Sequence, residues 1–345
     1  MMRALVKYAP GRGNMRIEER PVPQIKEDEV LVKVKCVGVC GTDVKIYDGT
    51  FNTQIPVIVG HEFSGEVVEA GRCVTKFAAG DRVTAEQHFF SCGSCEFCLS
   101  GKRHFCPEKR SPGYMADGAY CDYIAVREDL LHRIPETVSY PVAAVIEPMA
   151  IVAHGIFEKC RAKAGDKAVI LGCGPIALLA LQILRATGVS NIVMTGLDAD
   201  EAVRMPLALA QGARSVINSQ HEDAREAVRK RWTAGADLVI DLTGAPTAIL
   251  DGLGMLKKDG DFLAVGLPHG DVPVPWEALV FSALNVRFSY SSGYRTWERC
   301  IEMIADQTID LSQFVCNLFP LEKFEEAFKQ AADGKVLKAV IVVNP

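Results

Sequence analysis

The feature that most constrains this chain is an alternation of short apolar runs with helical ones from about Lys159 to Tyr290. Ala168 to Leu171, Asn191 to Thr195, Ser215 to Asn218, Asp237 to Leu242, Asp261 to Val265 and Val286 to Tyr290 read as strands. Ile176 to Ala186 and Glu201 to Ala210 read as helices between them. Strand–helix alternation implies a parallel sheet with right-handed crossovers, hence an α/β, doubly wound domain. The first turn sharpens this. Leu171-Gly172-Cys173-Gly174-Pro175-Ile176-Ala177 follows a strand and opens a helix, the context required of a dinucleotide-binding loop. Gly172 permits the tight turn, Gly174 lets the backbone approach a pyrophosphate, and Ala177 stands for the third glycine. The helix N-terminus then faces the phosphates. A tight turn without a ligand is the plain alternative, and the flanking strand and helix argue against it.

The chain before this region reads as strands and loops: Glu29 to Val37, Gly65 to Ala70 and Tyr120 to Val126, punctuated by Pro21-Val22-Pro23 and Gly80-Asp81. After Tyr290 come helices at Trp297 to Asp306 and Glu322 to Ala332, the second stopped by Gly334, then a strand at Lys338 to Val343. A terminal strand suits a β sheet, so the tail is expected to return to the first domain. The expected division is residues 1–150 with 291–345 as a mainly β domain and 151–290 as the nucleotide-binding domain.

Two constellations carry metal chemistry. Cys92, Cys95, Cys98 and Cys106 form C-x2-C-x2-C-x7-C, in a lobe at about residues 88–110. Four thiolates so close suit a closed tetrahedral zinc, which is structural because it keeps no open position. Gly93 and Gly101 ease the turns, and Lys102 and Arg103 are expected to relieve the charge. An iron–sulfur cluster also uses four cysteines; the long last gap and the absence of a second cluster motif oppose it. The other set is dispersed: Cys40, His61, Glu62 and Glu147. Each alone is weak, since a lone His or Cys is more often a packed residue. Together they offer S, N and O donors, the mixture of a catalytic zinc with an exchangeable position.

Bulk properties exclude other classes. The 345 residues suit two domains, and the formal net charge of −5 gives no reason to expect nucleic acid or an anionic membrane as partner. A zinc-ribbon nucleic-acid binder is opposed by that charge and by the glycine loop. No apolar run is expected to approach the ~20 residues of a membrane span, and Met1 to Tyr8 shows no signal-peptide core. A cytoplasmic protein with reduced thiols among its twelve cysteines is expected.

With these residues in view, the chain resembles the zinc-containing medium-chain dehydrogenases over nearly its whole length. Gly60-His61-Glu62-Phe63-Ser64-Gly65, followed by Gly71 and Val74, matches that family's zinc signature. The cysteine lobe, Gly80-Asp81-Arg82-Val83 and the glycine loop occur in the family's order. Cys40-Gly41-Thr42-Asp43, Ile146-Glu147-Pro148 and His154 are similar to polyol (sorbitol-type) and threonine dehydrogenases, with Glu147 closer to the polyol side. The resemblance implies a GroES-like mainly β catalytic domain joined to a Rossmann domain. It implies that Cys40, His61 and Glu62 hold a catalytic zinc, with Glu147 as fourth ligand or partner of the zinc-bound water. Thr42 would bond the substrate hydroxyl and start a proton relay. Lys45 stands where the family commonly has a histidine, so a relay through Lys45 or another path is expected. His88 is carried over as a residue shaping the substrate site. The family also implies a homodimer or homotetramer, with the segment around Trp276 to Val286 as an interface.

The expected activity is hydride transfer between NAD(P) and the carbinol carbon of a small polyol, sugar-derived alcohol or hydroxy amino acid. L-Threonine 3-dehydrogenation is the alternative, and a non-catalytic nucleotide-binding protein on the same fold is the alternative of another class. Two zinc ions per chain are expected. The acid that should end the second strand is replaced by Gly196. Asp198 and Asp200 lie just beyond, and Arg204 follows; two acids against one base favour NAD over NADP. By resemblance, Thr243-Gly244 and Val265-Gly266-Leu267 line the cofactor cleft. Tyr47, Phe51, Tyr114, Trp276 and Tyr290 are candidate pocket walls, and Ser289-Tyr290 stands where polyol enzymes often carry Arg-Tyr.

Overall fold

The computed structural model describes every residue except 269. The chain forms two compact units, Met1–Pro148 with Ser292–Pro345, and Met149–Ser291.

The first unit is built on a seven-stranded sheet. Its path runs Asn317–Pro320, Ala339–Val342, Glu29–Gly38, Glu62–Ala70, Arg82–Ala85 and Leu131–Arg133, with Tyr123–Arg127 also paired to Glu29–Gly38. The central strand shows why it forms: Val30, Val32 and Val34 are buried while Lys33 and Lys35 stand between and beyond them at the half-buried face. Alternating β-branched and long polar residues suit a pleated surface with one face on a core. A smaller sheet, Met15–Arg20, Met2–Lys7 and Val57–Ile58, closes over that core, where Leu5, Val59, Phe63 and Tyr120 are buried. Two pairings position the candidate metal residues. Gly38 lies opposite Glu62 in one antiparallel ladder. Val340 lies opposite Gly38 in another, so the terminal strand does return to this unit and carries Lys338 with it.

The second unit is a six-stranded parallel sheet in the order Ser215–Asn218, Asn191–Gly196, Lys167–Leu171, Ala236–Asp241, Leu256–Ala264, Asn285–Phe288. This is the doubly wound order with its reversal beside the first strand. The helix Pro175–Ala186 carries Pro175 at its first position, where a missing N–H costs nothing. It buries Leu178, Leu181 and Ile183.

Several sequence expectations shift. The strand expected from Tyr120 begins at Tyr123, because Tyr120 is turned inward and its hydroxyl bonds the Gly38 carbonyl at 3.1 Å. The helix expected from Glu201 begins at Arg204, since Asp198–Asp200 form a separate 3-10 turn closed by the Asp200 carboxylate on the Leu197 N–H. The helix expected from Trp297 starts earlier, at Tyr294. One helical run, Tyr140–Lys159, is long and apolar enough by length and composition to cross a membrane, contrary to the expectation from the sequence. Glu147 and His154 break the apolar run without interrupting the helix, and 72% of its most apolar 18-residue stretch is buried inside the protein.

Candidate metal and cofactor sites

Cys40 caps the helix Gly41–Asp48 in an extended conformation, and its N–H donates to Asp43 Oδ2 at 2.9 Å. His61 follows Gly60, which needs its positive φ of 91° and its missing Cβ, since a Cβ there would stand 2.7 Å from the Tyr120 ring. The structure thereby brings one ligand atom each of Cys40, His61 and Glu62 within 4.8 Å of one another. Glu147 lies outside that cluster, buried at 3% exposure with Oε1 unbonded. Burial first, and then the Glu62 charge, push its carboxyl well up. The Cys40 thiol is pushed up to about 12, again by burial before Glu62.

These residues fit a divalent cation. Glu147 Oε1 is buried without a hydrogen-bond partner, which costs free energy unless a charge compensates it, and the thiol, imidazole and carboxylate of Cys40, His61 and Glu62 are a donor set suited to one. Three residues to which the sequence reading gave no role complete the site. Asp43 Oδ1 lies 3.8 Å from His61 Nδ1, placed to orient the imidazole from behind. Tyr120 donates to Asp43 Oδ2 at 3.2 Å. Lys338, buried, holds Nζ 2.5 Å from Glu62 Oε2. Thr42 and Lys45 share a helix face, Thr42 half-buried and Lys45 exposed. Tyr114 packs edge-on to His61 at 6.2 Å between centroids, and Phe51 on Tyr114 at 5.3 Å. Tyr47 instead packs on Phe328 and bonds Glu325.

The sulfurs of Cys92, Cys95, Cys98 and Cys106 also lie within 4.8 Å of one another. Gly93 and Gly101 take φ of 73° and 74° at the turns. Arg103 pairs with Asp129, and backbone N–H groups face the sulfurs. Cys95 N lies 3.3 Å from Cys92 Sγ and Cys92 N 3.3 Å from Cys106 Sγ. The N–H groups of Ser94 and Cys95 pull the Cys92 thiol down to about 6, which favours the thiolate a metal needs. His88 is buried, with Nε2 2.9 Å from the Ser292 carbonyl, and burial pushes it down to about 3.

In the second unit a cleft of about 490 Å³ opens over Gly172, Gly174, Gly196, Asp200, Arg204 and Thr243. Gly172 has φ of 104° and donates its N–H to Thr195 Oγ1 at 3.0 Å, and among the described residues nothing beyond the chain neighbours lies within 4 Å of a Cβ position on Gly174. That leaves the backbone open to a phosphate. Pro175 and Ile176 open the helix, and Ala177 is buried beneath the turn. Asp241, which sequence reading passed over, accepts from Thr243 and Gly244 N–H groups and from the Thr243 hydroxyl at 2.7 Å. Val265, Gly266 and Leu267 line a second, apolar cleft of about 810 Å³ together with Trp276 and Tyr290, not the glycine-turn cleft. Asp198 is exposed and bonded to Asn218 at 2.7 Å.

Residues 26–136 match the alcohol dehydrogenase GroES-like domain, and residues 175–306 the zinc-binding dehydrogenase family. A D-arabitol-phosphate dehydrogenase of Enterococcus avium is 34% identical, covering 100% of this chain and 98% of its own length. An L-threonine 3-dehydrogenase of Bacillus velezensis is also 34% identical, with 99% of each covered. The crystal structure of 2R,3R-butanediol dehydrogenase from Bacillus subtilis superposes with a TM-score of 0.90 at 25% identity, covering 100% of both chains. With a GroES-like unit, a Rossmann unit and this similarity along its whole length, the chain belongs to the zinc-binding medium-chain dehydrogenases and is an NAD(P)-dependent alcohol or polyol dehydrogenase.

Proposed function

We propose that the protein oxidises, or in reverse forms, the carbinol carbon of a small polyol or sugar-derived alcohol, using NAD in preference to NADP. The observation that carries this reading is the cluster of Cys40, His61 and Glu62 within 4.8 Å, with Asp43 behind the histidine and Glu147 buried nearby. Those residues would hold a catalytic zinc, and the four cysteines of the lobe a second, structural one. When bound, a zinc ion of this kind supplies Lewis acidity that lowers the pKa of an alcohol. Cys40, His61 and Glu62 would fix the ion's place, and Asp43 would orient His61. Thr42, half-buried at the start of the same helix, takes the substrate hydroxyl proton and begins its path to water. Lys45, one turn further along that face and exposed, is the next group outward. A nicotinamide cofactor would supply the hydride chemistry, and the glycine turn at Gly172 and Gly174 would hold its pyrophosphate.

A polyol is favoured over an amino alcohol by Glu147, the residue nearer to the polyol pattern. L-Threonine stays as the second reading because a threonine enzyme is as similar in sequence as a polyol-phosphate one. We assign the catalytic role to the first unit and cofactor binding to the second. Twelve unpaired cysteines accord with a cytoplasmic site. The edge strand Asn285–Phe288 and exposed Trp276, Phe281 and Phe288 fit a contact between copies in a dimer or tetramer.

The test is a panel of polyols, sugar acids and L-threonine against both cofactors, followed by nicotinamide absorbance. Cys40→Ser is expected to abolish turnover while NADH fluorescence still reports binding. Unchanged turnover would remove Cys40 from the chemistry.

A further inference from the structure

In a doubly wound nucleotide fold the cofactor is chosen at the carboxyl end of the second strand. A carboxylate there accepts the adenosine ribose hydroxyl, and an arginine accommodates a 2'-phosphate. Here that strand, Asn191–Gly196, ends in glycine. A Cβ built on Gly196 would stand 3.2 Å from Asp200 Oδ2, 3.1 Å from Cys173 Cβ and 2.8 Å from Met205 Cε. The space that a side chain at 196 would enter is therefore filled from elsewhere, and one of the groups filling it is a carboxylate.

Asp200 is 7% exposed and held at both oxygens. Oδ2 accepts the Leu197 N–H at 3.0 Å, and Oδ1 accepts from Arg204 Nη1 at 2.9 Å. It lines the same cleft as Gly172, Gly174 and Arg204. Asp198 is excluded from this role by its surroundings. It is exposed, bonded to Asn218 Nδ2 at 2.7 Å and to the His221 ring at 2.7 Å, and is not part of the cleft wall. Arg204 is the one basic side chain of that wall among the described residues, and its Nε is buried without a hydrogen-bond partner.

We propose that Asp200, delivered by the 3-10 turn into the space vacated at Gly196, is the carboxylate that binds the adenosine ribose, and that its pairing with Arg204 sets the preference for NAD. The assignment rests on the dehydrogenase reading above and deepens it. Asp200 accepts the ribose 2'-hydroxyl and, with Asp198 and Glu201 nearby, opposes a 2'-phosphate. It also neutralises the arginine that such a phosphate would need. Removing the charge at 200 both deletes the ribose acceptor and frees Arg204.

The sign of the effect is what tests it. Asp200→Asn keeps an oxygen for the Leu197 N–H, so the turn stays capped. In the full-length, metal-loaded protein, NADH and NADPH binding are titrated by fluorescence, with kcat/KM measured for both cofactors. A hydrogen bond to a charged acceptor is worth about 1.5–3 kcal/mol, or roughly 10- to 150-fold. D200N is expected to weaken NADH by a factor in that range and to strengthen NADPH, and D200N/R204Q to lose the gain for NADPH. Equal weakening of both cofactors, or no change in either, overturns the proposal, as does a switch produced by D198N with D200N silent. Failure of the wild-type protein to bind either cofactor would instead strike the dehydrogenase reading itself.

Discussion

Lys338 gives the sharpest handle on the metal residues. Its side chain is 8% exposed, its partner Glu62 1%, and Nζ to Oε2 is 2.5 Å. Gly38 opposite leaves the space that the Glu62 carboxylate occupies, since a Cβ there would clash with Oε2. Substituting Lys338→Met keeps most of the buried volume and removes only the cation. Breaking a buried pair by deleting one member costs about 3–5 kcal/mol, because the other charge is left uncompensated. For a unit of this size about 1 kcal/mol moves Tm by roughly 2–4 °C, so the metal-stripped variant should melt about 6–20 °C below wild type. A bound divalent cation supplies Glu62 with another counter-charge, so the loaded variant should lose much less, at most about half of that shift. By the same linkage, removing a like charge should raise zinc affinity in a chelator competition. Calorimetry of stripped and zinc-loaded proteins reads the two shifts directly. Equal losses of Tm in both states would refute the reasoning, because Lys338 would then act through packing alone and not as the counter-ion of a metal ligand.

Two further outcomes are expected. Cys95→Ser removes one of four clustered sulfurs and should lower Tm and zinc content by one ion while turnover per folded molecule persists; full thermal stability with lost activity would move the lobe into the chemistry. Glu298→Gln probes the buried His132, which bonds Glu298 on one side and lies 3.4 Å from Glu86 on the other, stacked on Trp297. Glu298 is held below the usual 4.5, first by its hydrogen bond with His132. Burial alone would lower His132, but the hydrogen bonds with Glu298 and Glu86 more than offset it and leave it above 6.5. The acid's contribution is present above 4.5 and lost as pH falls through its depressed folded value. The histidine's is complete below 6.5 and lost as pH rises through its raised folded value. The Tm difference between wild type and E298Q should therefore peak between about pH 4.5 and 6.5, and a difference that stays flat across pH would show that the pair contributes no charge interaction.

What could be read from the sequence divides by range. The cysteine lobe and the glycine turn are local: their ligands lie within a few residues, so spacing alone carries Cys92 to Cys106 and Gly172 to Gly174. Cys40, His61 and Glu62 depend on a strand register, Gly38 opposite Glu62, which resemblance to a family supplied and periodicity could not. Asp198 and Asp200 are equivalent on paper, two acids in one short turn; only the direction of each side chain separates them. Asp43 read as part of a motif, and nothing in its neighbours announced that its free oxygen would face His61. Lys338 is the limiting case. In the sequence it is a charge at the entry of a terminal strand, which solvent explains well enough. The antiparallel pairing of Val340 with Gly38 takes it out of solvent and sets it against Glu62, nearly three hundred positions earlier. Burying a lysine there is tolerable only because a carboxylate waits on the neighbouring strand, so the ladder that closes the first unit and the charge balance of the candidate metal site are one structural decision.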